Sequence, residues 1–152
     1  MTADTRSIEL TIVAARAASN LKAAEIIAID VSEQLALTDV FLIASARNER
    51  QVVAIVDAIE EALHKEGVTQ VRWEGKSEGR WVLLDFNDIV VHVQHAEDRK
   101  YYDLERLWRD CPEIELPEDA RGGDGHFEDE LEDNLAMFSD FDLSKLIEDD
   151  KN

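Results

Sequence analysis

The chain has 152 residues, 45% of them hydrophobic, and its formal net charge is −19 because 35 acidic side chains oppose 16 basic ones. This length and composition predict one soluble domain, and no apolar run reaches the ~18–20 residues of a membrane span. The charge excludes a direct nucleic-acid binder, which needs clustered Lys and Arg, so any nucleic-acid-associated role should run through a basic protein. The N-terminus lacks an apolar signal run and the single cysteine, Cys111, cannot form an internal disulfide, so we expect a cytoplasmic protein.

The first predicted element is a helix over residues 5–20, where apolar side chains recur at helical spacing. Its buried face should carry Ile8, Ile12 and Ala15. Two apolar runs follow, and both are short enough to predict buried strands: 26–31 and 40–45.

A second helix is predicted after Asn48, whose side chain suits an N-cap. Gln51 stands at the reciprocal position of a capping box, and Gly67 should end the helix in a left-handed conformation. Apolar residues at helical spacing predict its buried face: Val52, Val56, Ile59 and Leu63.

The rest of the domain should contain three more strands and a last helix. Asn87 and Asp88 tolerate positive φ, so they predict a two-residue hairpin turn. The strand–helix–strand order over residues 40–74 predicts a parallel crossover. The pattern as a whole predicts an α/β domain with a mixed five-stranded sheet and packed helices. The remaining predicted strands are 71–74, 81–86 and 89–94, followed by a helix over 98–108 that ends before Pro112.

Acidic residues concentrate at the C-terminal end. Residues 111–152 hold 15 acids and 3 bases, whereas residues 1–110 hold 20 acids and 13 bases. Pro112 and Pro117 open this segment, and a glycine-rich run follows. We predict a folded domain over residues 1–111 and an acidic, disordered tail over residues 112–152. Its acidic and apolar residues together would also suit a segment that folds on a partner.

Motifs for catalysis or metal binding are scarce. No glycine-rich phosphate loop is present. His92 and His95 are three residues apart in a predicted strand, so they should point to opposite faces and share no metal. Acidic neighbours should raise the pKa of the Cys111 thiol, which predicts an unreactive cysteine. We therefore expect no metal, no cofactor and no catalysis.

One enzymatic alternative stays open. Asp85 and Asp88 lie near a strand end, where two carboxylates could hold Mg²⁺ in a nucleotidyltransferase-like, magnesium-dependent site. Such enzymes usually carry a Gly-Ser pair on an earlier strand and a basic cluster for the triphosphate, and the sequence has neither. The structural alternative is that Asp88 shapes the turn and Asp85 supports its hydrogen bonds.

Aromatic side chains are grouped between residues 73 and 108. Trp81 follows a polar turn, so we expect it to be partly exposed, whereas Leu104 and Trp108 should lie in the core. Aromatics with arginines nearby are typical of interface hot spots. The group contains Trp73, Trp81, Tyr101, Tyr102 and Trp108, with Arg80, Arg99 and Arg106 beside them.

Four segments together resemble the ribosomal silencing factor family, also called Iojap-like. They are KAAEII at 22–27 leading to Asp30-Val31, LTDVF at 37–41, Glu74-Gly75 with WVLLDFNDIVVHV at 81–93, and RKYYDLERLW at 99–108. The resemblance spans about residues 8–110. It departs from the family pattern at Ala46-Arg47-Asn48, where a Gly and a Ser are usual, and at Asn87, where the family's turn has Gly. The acidic tail has no counterpart in that pattern.

The resemblance implies a nucleotidyltransferase-like fold without its catalytic motif. It also implies binding to the large ribosomal subunit through ribosomal protein uL-fourteen, which blocks joining of the small subunit and represses translation when nutrients are scarce. An acidic factor would suit a basic ribosomal protein. The third interpretation is a generic acidic adaptor whose tail carries the function. The oligomeric state, a homodimer included, stays open.

The hairpin and the start of the last helix supply the candidate contact residues. We expect Trp81 to be the aromatic anchor, because a buried interface aromatic typically contributes ~2 kcal/mol or more. Acidic side chains would face Lys or Arg on the partner, and Arg99 and Tyr102 would either join the contact or brace the hairpin. The acidic candidates are Glu74, Asp85 and Asp88.

Overall fold

A computed structural model describes residues 3–76 and 78–122. The helices are α1 (Thr5–Asn20), α2 (Glu49–Lys65), α3 (Ala96–Tyr102) and α4 (Leu104–Leu107), with a 3-10 turn at Glu118–Ala120. The strands are β1 (Ile26–Asp30), β2 (Val40–Ala46), β3 (Arg72–Glu74), β4 (Trp81–Asp85), β5 (Ile89–His95) and β6 (Glu113–Ile114).

The strands form one mixed sheet in the order β3-β4-β5-β2-β1-β6. Only β2 and β5 pair in parallel, and the other neighbours are antiparallel. The prediction of a mixed sheet with packed helices is confirmed, but the count of five strands is wrong. The predicted crossover also differs in detail, because β3 runs parallel to β2 yet lies at the far edge, beyond β5 and β4.

The main core lies between the sheet and the two long helices. Side chains of α1 and α2 pack on Leu42, Val91 and Leu84 of the central strands. In α2 the predicted stripe is buried, with Ile55 added to it. In α1 the buried face differs from the predicted one, because Ile8 and Ile12 are only partly buried. Mostly small side chains form the buried face instead, and they allow the helix to approach the sheet closely. The buried residues of α1 are Ser7, Leu10, Thr11, Ala14, Ala15, Ala18 and Ser19.

The start of α2 uses a modified capping box. Asn48 Oδ1 accepts a hydrogen bond from the Gln51 N–H at 2.8 Å, as predicted. The Gln51 side chain returns to the N–H of Arg47 at 2.7 Å rather than to that of Asn48. Its amide nitrogen also donates to the carbonyl of Leu21, so this cap ties α2 to the end of α1. Gly67 follows the helix with φ +83°, the predicted left-handed conformation.

The predicted last helix is broken. Asp103 adopts a left-handed conformation with φ 48°, which separates α3 from α4. A short acidic side chain tolerates this conformation better than most residues. The break changes the direction of the chain, and the helical pattern over residues 98–108 did not reveal it.

The folded part of the chain extends beyond the predicted boundary at residue 111. β6 pairs with β1 through Ala28 and Ile114, and the side chains of Leu116 and Ala120 are buried in the main core. Residues 112–122 therefore belong to the fold, because they pair with the edge strand β1 and bury side chains in the main core. The rest of the predicted tail, residues 123–152, lies outside the described residues.

Within the described ranges, no helix is long and apolar enough to cross a membrane.

Candidate functional site

The sheet has one face that α1 and α2 do not cover, which we call the open face. Registered neighbours on it include Leu83 beside His92 and Glu74 beside Leu83. The α3–α4 segment and Trp108 pack over its β1–β2 side, where Leu104 is buried as predicted. Toward β3 the face carries partly buried side chains such as Leu83 and Asp85. This arrangement leaves a sheet surface available to another protein.

A band of aromatic rings crosses the open face. Trp81 is partly exposed, as predicted, and its ring lies 4.8 Å from that of Tyr102 on α3. Tyr102 in turn contacts Tyr101 edge to face at 5.0 Å. At the other end Phe41 lies 5.1 Å from Trp108, which is partly buried rather than fully enclosed. Rings at these separations stabilise one another by more than the burial of their surface alone, so the rings of the band hold one another in position.

His92 lies beneath the band and contacts two of its rings. Its ring is 5% exposed and lies between those of Phe41 and Trp81. Nδ1 of His92 accepts a hydrogen bond from Nε1 of Trp81 at 3.2 Å, so the proton of the neutral imidazole is on Nε2. Burial lowers the pKa of His92 to about 4. The imidazole therefore stays neutral, and this acceptor is present at physiological pH.

Acidic side chains gather at the β3–β4 edge of the open face. Glu74 and Asp85 lie 3.3 Å and 3.7 Å from the guanidinium of Arg72, which links them. Glu74 is largely exposed, whereas the side chain of Asp85 is 22% exposed. Trp81 and Asp85 are the two ends of β4, so four residue steps along the strand, roughly 13 Å, separate the aromatic anchor from this acidic edge.

The β4–β5 hairpin turn engages both aspartates that could have formed a catalytic pair. Asn87 has φ 73°, and its N–H donates to Asp85 Oδ1 at 2.8 Å. Asp88 is exposed, and its carbonyl accepts from the N–H groups of Asp39 and Val40. Asp85 thus supports the turn and Asp88 fixes where β2 begins. For Asp85 this is the structural alternative that the sequence left open, whereas the Asp88 side chain is exposed and only its backbone is engaged.

Arg99 is not on the surface. It is 5% exposed, and its guanidinium donates to Ser45 Oγ at 3.2 Å, to the carbonyl of Glu25 and to Glu105 at 3.0 Å. These contacts join α3 to the ends of β1 and β2 and to α4 across the break at Asp103. The prediction that Arg99 touches a partner is therefore revised to a bracing role. It braces α3 rather than the hairpin.

Arg80 is likewise engaged inside the molecule. Its guanidinium contacts Asp98 at 2.8 Å, Glu97 at 3.0 Å and Glu49 at 3.1 Å. Hydrogen bonds to Asp98 and Glu97 raise the pKa of Arg80, so it stays charged. Arg80 ties the polar turn before β4 to the starts of α2 and α3, and it is not a candidate contact.

Groups suited to catalysis are not assembled in the part of the chain that the structure describes. No cluster of three or more His, Cys, Asp or Glu residues there could hold a metal ion. His95 ends β5, on the opposite side of the strand from His92, and its Nδ1 accepts from the Glu97 N–H at 3.1 Å. Burial raises the pKa of the Cys111 thiol, with Asp110, Asp30 and Glu33 adding to the effect. Sequence reasoning named only the acidic neighbours.

Sequence reasoning missed two features of this surface. His92 was considered only as a metal ligand, and its alternation with Val91 and Val93 was the signal that it shares a face with Trp81. The exposure of Leu107, at 73%, was also not predicted. A break in the helix at Asp103 turns Leu107 outward, and single-sequence periodicity carries no signal for such a break.

Comparisons with known proteins agree on one family. The sequence model of the family described as "Ribosomal silencing factor during starvation" matches residues 4–136. The ribosomal silencing factor of Halalkalibacterium halodurans is 39% identical over 108 residues, which cover 71% of this chain and 92% of that protein. The Bacillus subtilis ribosomal silencing factor is 39% identical over 68% of this chain and 88% of that protein. A crystal structure from Bacillus halodurans, 38% identical, superposes with a TM-score of 0.64 over 72% of this chain and 99% of that one.

Proposed function

Because the chain belongs to the ribosomal silencing factor family, we propose that it binds the large ribosomal subunit and blocks joining of the small subunit. Membership supports a ribosome-associated silencing role. The proposal adds the contact protein, uL-fourteen, and the consequence, repression of translation under nutrient limitation. The chain would act by occupying a surface, so it needs no catalytic group.

The partly exposed pair of Trp81 and Tyr102 on the open face is the observation that carries this proposal. Large aromatic side chains with a polar end are enriched at the energetic centres of protein interfaces. The indole is held by His92 and by the Tyr102 ring, so little side-chain entropy is lost when a partner packs on it. A fixed aromatic platform on an uncovered sheet face favours a protein partner over a small molecule.

The acidic edge favours a basic partner. Glu74 and Asp88 are exposed, and Asp85 shares Arg72 with Glu74, so the edge keeps a negative charge. Such rim charges raise the association rate and suppress wrong partners more than they add affinity. A ribosomal protein rich in Lys and Arg fits this edge, and binding should weaken as salt screens the attraction.

Arg99 supports the surface without touching the partner. Its ties to Glu25, Ser45 and Glu105 hold α3 against the sheet, and α3 carries Tyr102. Tyr102 contacts Trp81, so the position of the anchor depends on α3 staying in place. We assign Arg99 to positioning and keep Trp81, Tyr102, Glu74, Asp85 and Asp88 as the contact candidates.

The test is co-sedimentation of the protein with purified large and small subunits, followed by a subunit-joining assay. Trp81→Ala should weaken large-subunit binding roughly 30-fold, the equivalent of about 2 kcal/mol, and relieve the block on joining. Trp73→Ala is the matched control, because Trp73 is 54% exposed and its registered neighbour Leu84 faces the opposite, helix-covered side.

Circular dichroism of both variants checks their folding. A folded Trp81→Ala protein that binds and inhibits like wild type would show that the proposed surface is wrong. Wild type that leaves subunit joining unchanged would overturn the silencing function itself.

Calorimetry with magnesium nucleotides tests the enzymatic alternative. We expect no binding, since Asp85 Oδ1 already accepts the Asn87 N–H and no cluster of three acidic, His or Cys side chains among the described residues could hold the metal. Nucleotide turnover that is lost in Asp85→Asn would establish the enzyme instead.

A further inference from the structure

Three cations on the α3–α4 segment have no ion-pair partner among the described residues of this acidic protein. The chain has more than twice as many acids as bases, so a surface Lys or Arg usually has a carboxylate nearby. Lys100, Arg106 and Arg109 are exposed, yet their side chains form no ion pair or hydrogen bond with any residue in 3–76 or 78–122. Unpaired positive charge is therefore concentrated within ten residues.

The same segment exposes large apolar side chains. Tyr101 is 82% exposed, Leu107 is 73% exposed and Tyr102 is 48% exposed. Tyr101, Tyr102 and Leu107 line a shallow cleft together with Arg106, Arg109, Asp103 and Asp110. We call this cleft, with Lys100 beside it, the α3–α4 surface. With Lys100 the surface carries three cations against two carboxylates, so an occupant with both acidic and apolar side chains fits it better than a basic ribosomal protein does.

The chain leaves the described fold close to this surface. Gly122 pairs with Glu25, and a Cβ at Gly122 would lie 2.7 Å from Cγ1 of Ile26, so the exit point is packed tightly. The Glu25 carboxylate lies 3.7 Å from Nη2 of Arg99, and Lys100 is the next residue along α3. The exit is thus adjacent to the first cation of the α3–α4 surface.

The segment beyond this exit has the complementary chemistry. Residues 123–152 hold 11 acids and 2 bases, and they also contain leucine and phenylalanine side chains among the acids. Even at the dimensions of a random coil, 30 residues would span roughly 30 Å, more than the roughly 14 Å that ten residues cover at helical rise. Tethering gives such a segment an effective concentration of about a millimolar, so weak contacts suffice.

We propose that residues 123–152 bind the α3–α4 surface of their own chain and compete there with the ribosomal partner. Tyr102 belongs both to the α3–α4 surface and to the band of aromatic rings. A segment bound to the α3–α4 surface would therefore cover part of the proposed ribosomal contact. The competition rests on the proposed ribosomal function, whereas the intramolecular contact does not. RNA is the weaker candidate, because three cations neutralise few phosphates and the whole chain repels a polyanion.

Paramagnetic broadening in the full-length chain tests the contact. The protein would carry Cys111→Ser and a spin label at Ser144→Cys, so that only the C-terminal segment is labelled. We expect amide signals of residues 100–109 to lose roughly half or more of their intensity, as a mostly bound tethered segment predicts. Signals at the start of α2 should be unaffected.

Charge reversal supplies the control. Arg106→Glu with Arg109→Glu should restore the signals, whereas Arg50→Glu, another exposed cation without an ion pair to the described residues, should not. Absent broadening, or broadening that charge reversal leaves unchanged, would overturn the proposal. Broadening that appears when labelled and unlabelled chains are mixed would assign the surface to a second copy, and RNA binding lost on charge reversal would assign it to RNA.

A second full-length variant tests the competition. It replaces Glu128, Asp129, Glu130, Glu132 and Asp133 by their amides. We expect it to bind the large subunit about 3- to 10-fold more tightly than wild type, because a competing segment lowers the fraction of binding-competent protein. Equal affinity, with the broadening intact, would show that the contact exists but does not regulate. If neither protein binds the subunit, the proposed function fails while the contact stands on the broadening alone.

Discussion

Nε1 of Trp81 donates a hydrogen bond to Nδ1 of His92 at 3.2 Å, across neighbouring strands of one sheet. Trp81, the donor, is partly exposed and His92, the acceptor, is buried, so the pair joins the surface to the interior. Phe41 lies 5.0 Å from the histidine on its other side. The orientation of the proposed anchor is therefore set by a residue that no partner would touch.

His92→Phe should weaken binding to the large subunit about 3- to 10-fold, because it removes a neutral hydrogen bond of ~1 kcal/mol that orients the indole. The Trp81 N–H can then turn toward water, so the fold should survive. Affinity by co-sedimentation and Trp fluorescence would check both effects. His64→Phe, on the exposed side of α2, is the control, and a His92→Phe protein with unchanged affinity would refute the positioning role.

The free energy of unfolding should fall in acid partly because of His92. Burial lowers its folded pKa to about 4, whereas the unfolded value is near 6.5. Between these values the unfolded chain takes up a proton that the folded chain refuses, so stability falls as pH drops from about 6.5 to about 4. In this range the free energy of unfolding falls by up to ~1.4 kcal/mol per pH unit, which amounts to about 3 kcal/mol between pH 6.5 and pH 4.

His92→Gln should remove this part of the acid sensitivity and leave the part due to carboxylates. Urea unfolding at pH 7, 6, 5 and 4 would measure the difference in slope. Parallel curves for the two proteins would mean that His92 does not resist protonation in the fold.

Arg99→Ala should destabilise the fold by about 2 kcal/mol, because Ser45 and the buried end of Glu105 lose their charged donor. The figure is moderate since the Glu105 side chain is 29% exposed and water can replace part of the contact. Lys100→Ala, at the exposed neighbouring position, should change stability by less than ~0.5 kcal/mol. Chemical denaturation compares the two, and equal effects would contradict the bracing role.

A chain ending after Cys111 should be much less stable than one ending after Gly122. The shorter chain loses the pairing of β6 with β1, the burial of Leu116 and the ion pair between Arg16 and Asp119 at 2.9 Å. Burial of one leucine contributes about 1.5–3 kcal/mol, so the midpoint of thermal unfolding should drop on the order of 10 °C. Similar midpoints for both chains would restore the boundary at residue 111.

Local signals in the sequence predicted most elements of the fold. The stripe from Val52 to Leu63, the N-cap at Asn48 and the positive φ of Asn87 each depend on neighbours within a few residues, and the structure confirms them. The ordered set of four segments resembled the ribosomal silencing factor family, and the comparisons agree. These features were predictable because each is encoded over a short stretch of chain.

The tertiary structure decided which residues meet. Only the fold shows that β5, not β3, lies beside β2, that residues 113–114 close the far edge of the sheet, and that Arg99 is buried while Leu107 is exposed. The Trp81–His92 bond joins residues eleven positions apart through strand register. Periodicity assigns a side chain to a face, but the packing of distant elements determines whether that face is covered. The sequence by itself therefore determined the family and most of the elements, and the packing determined the surface.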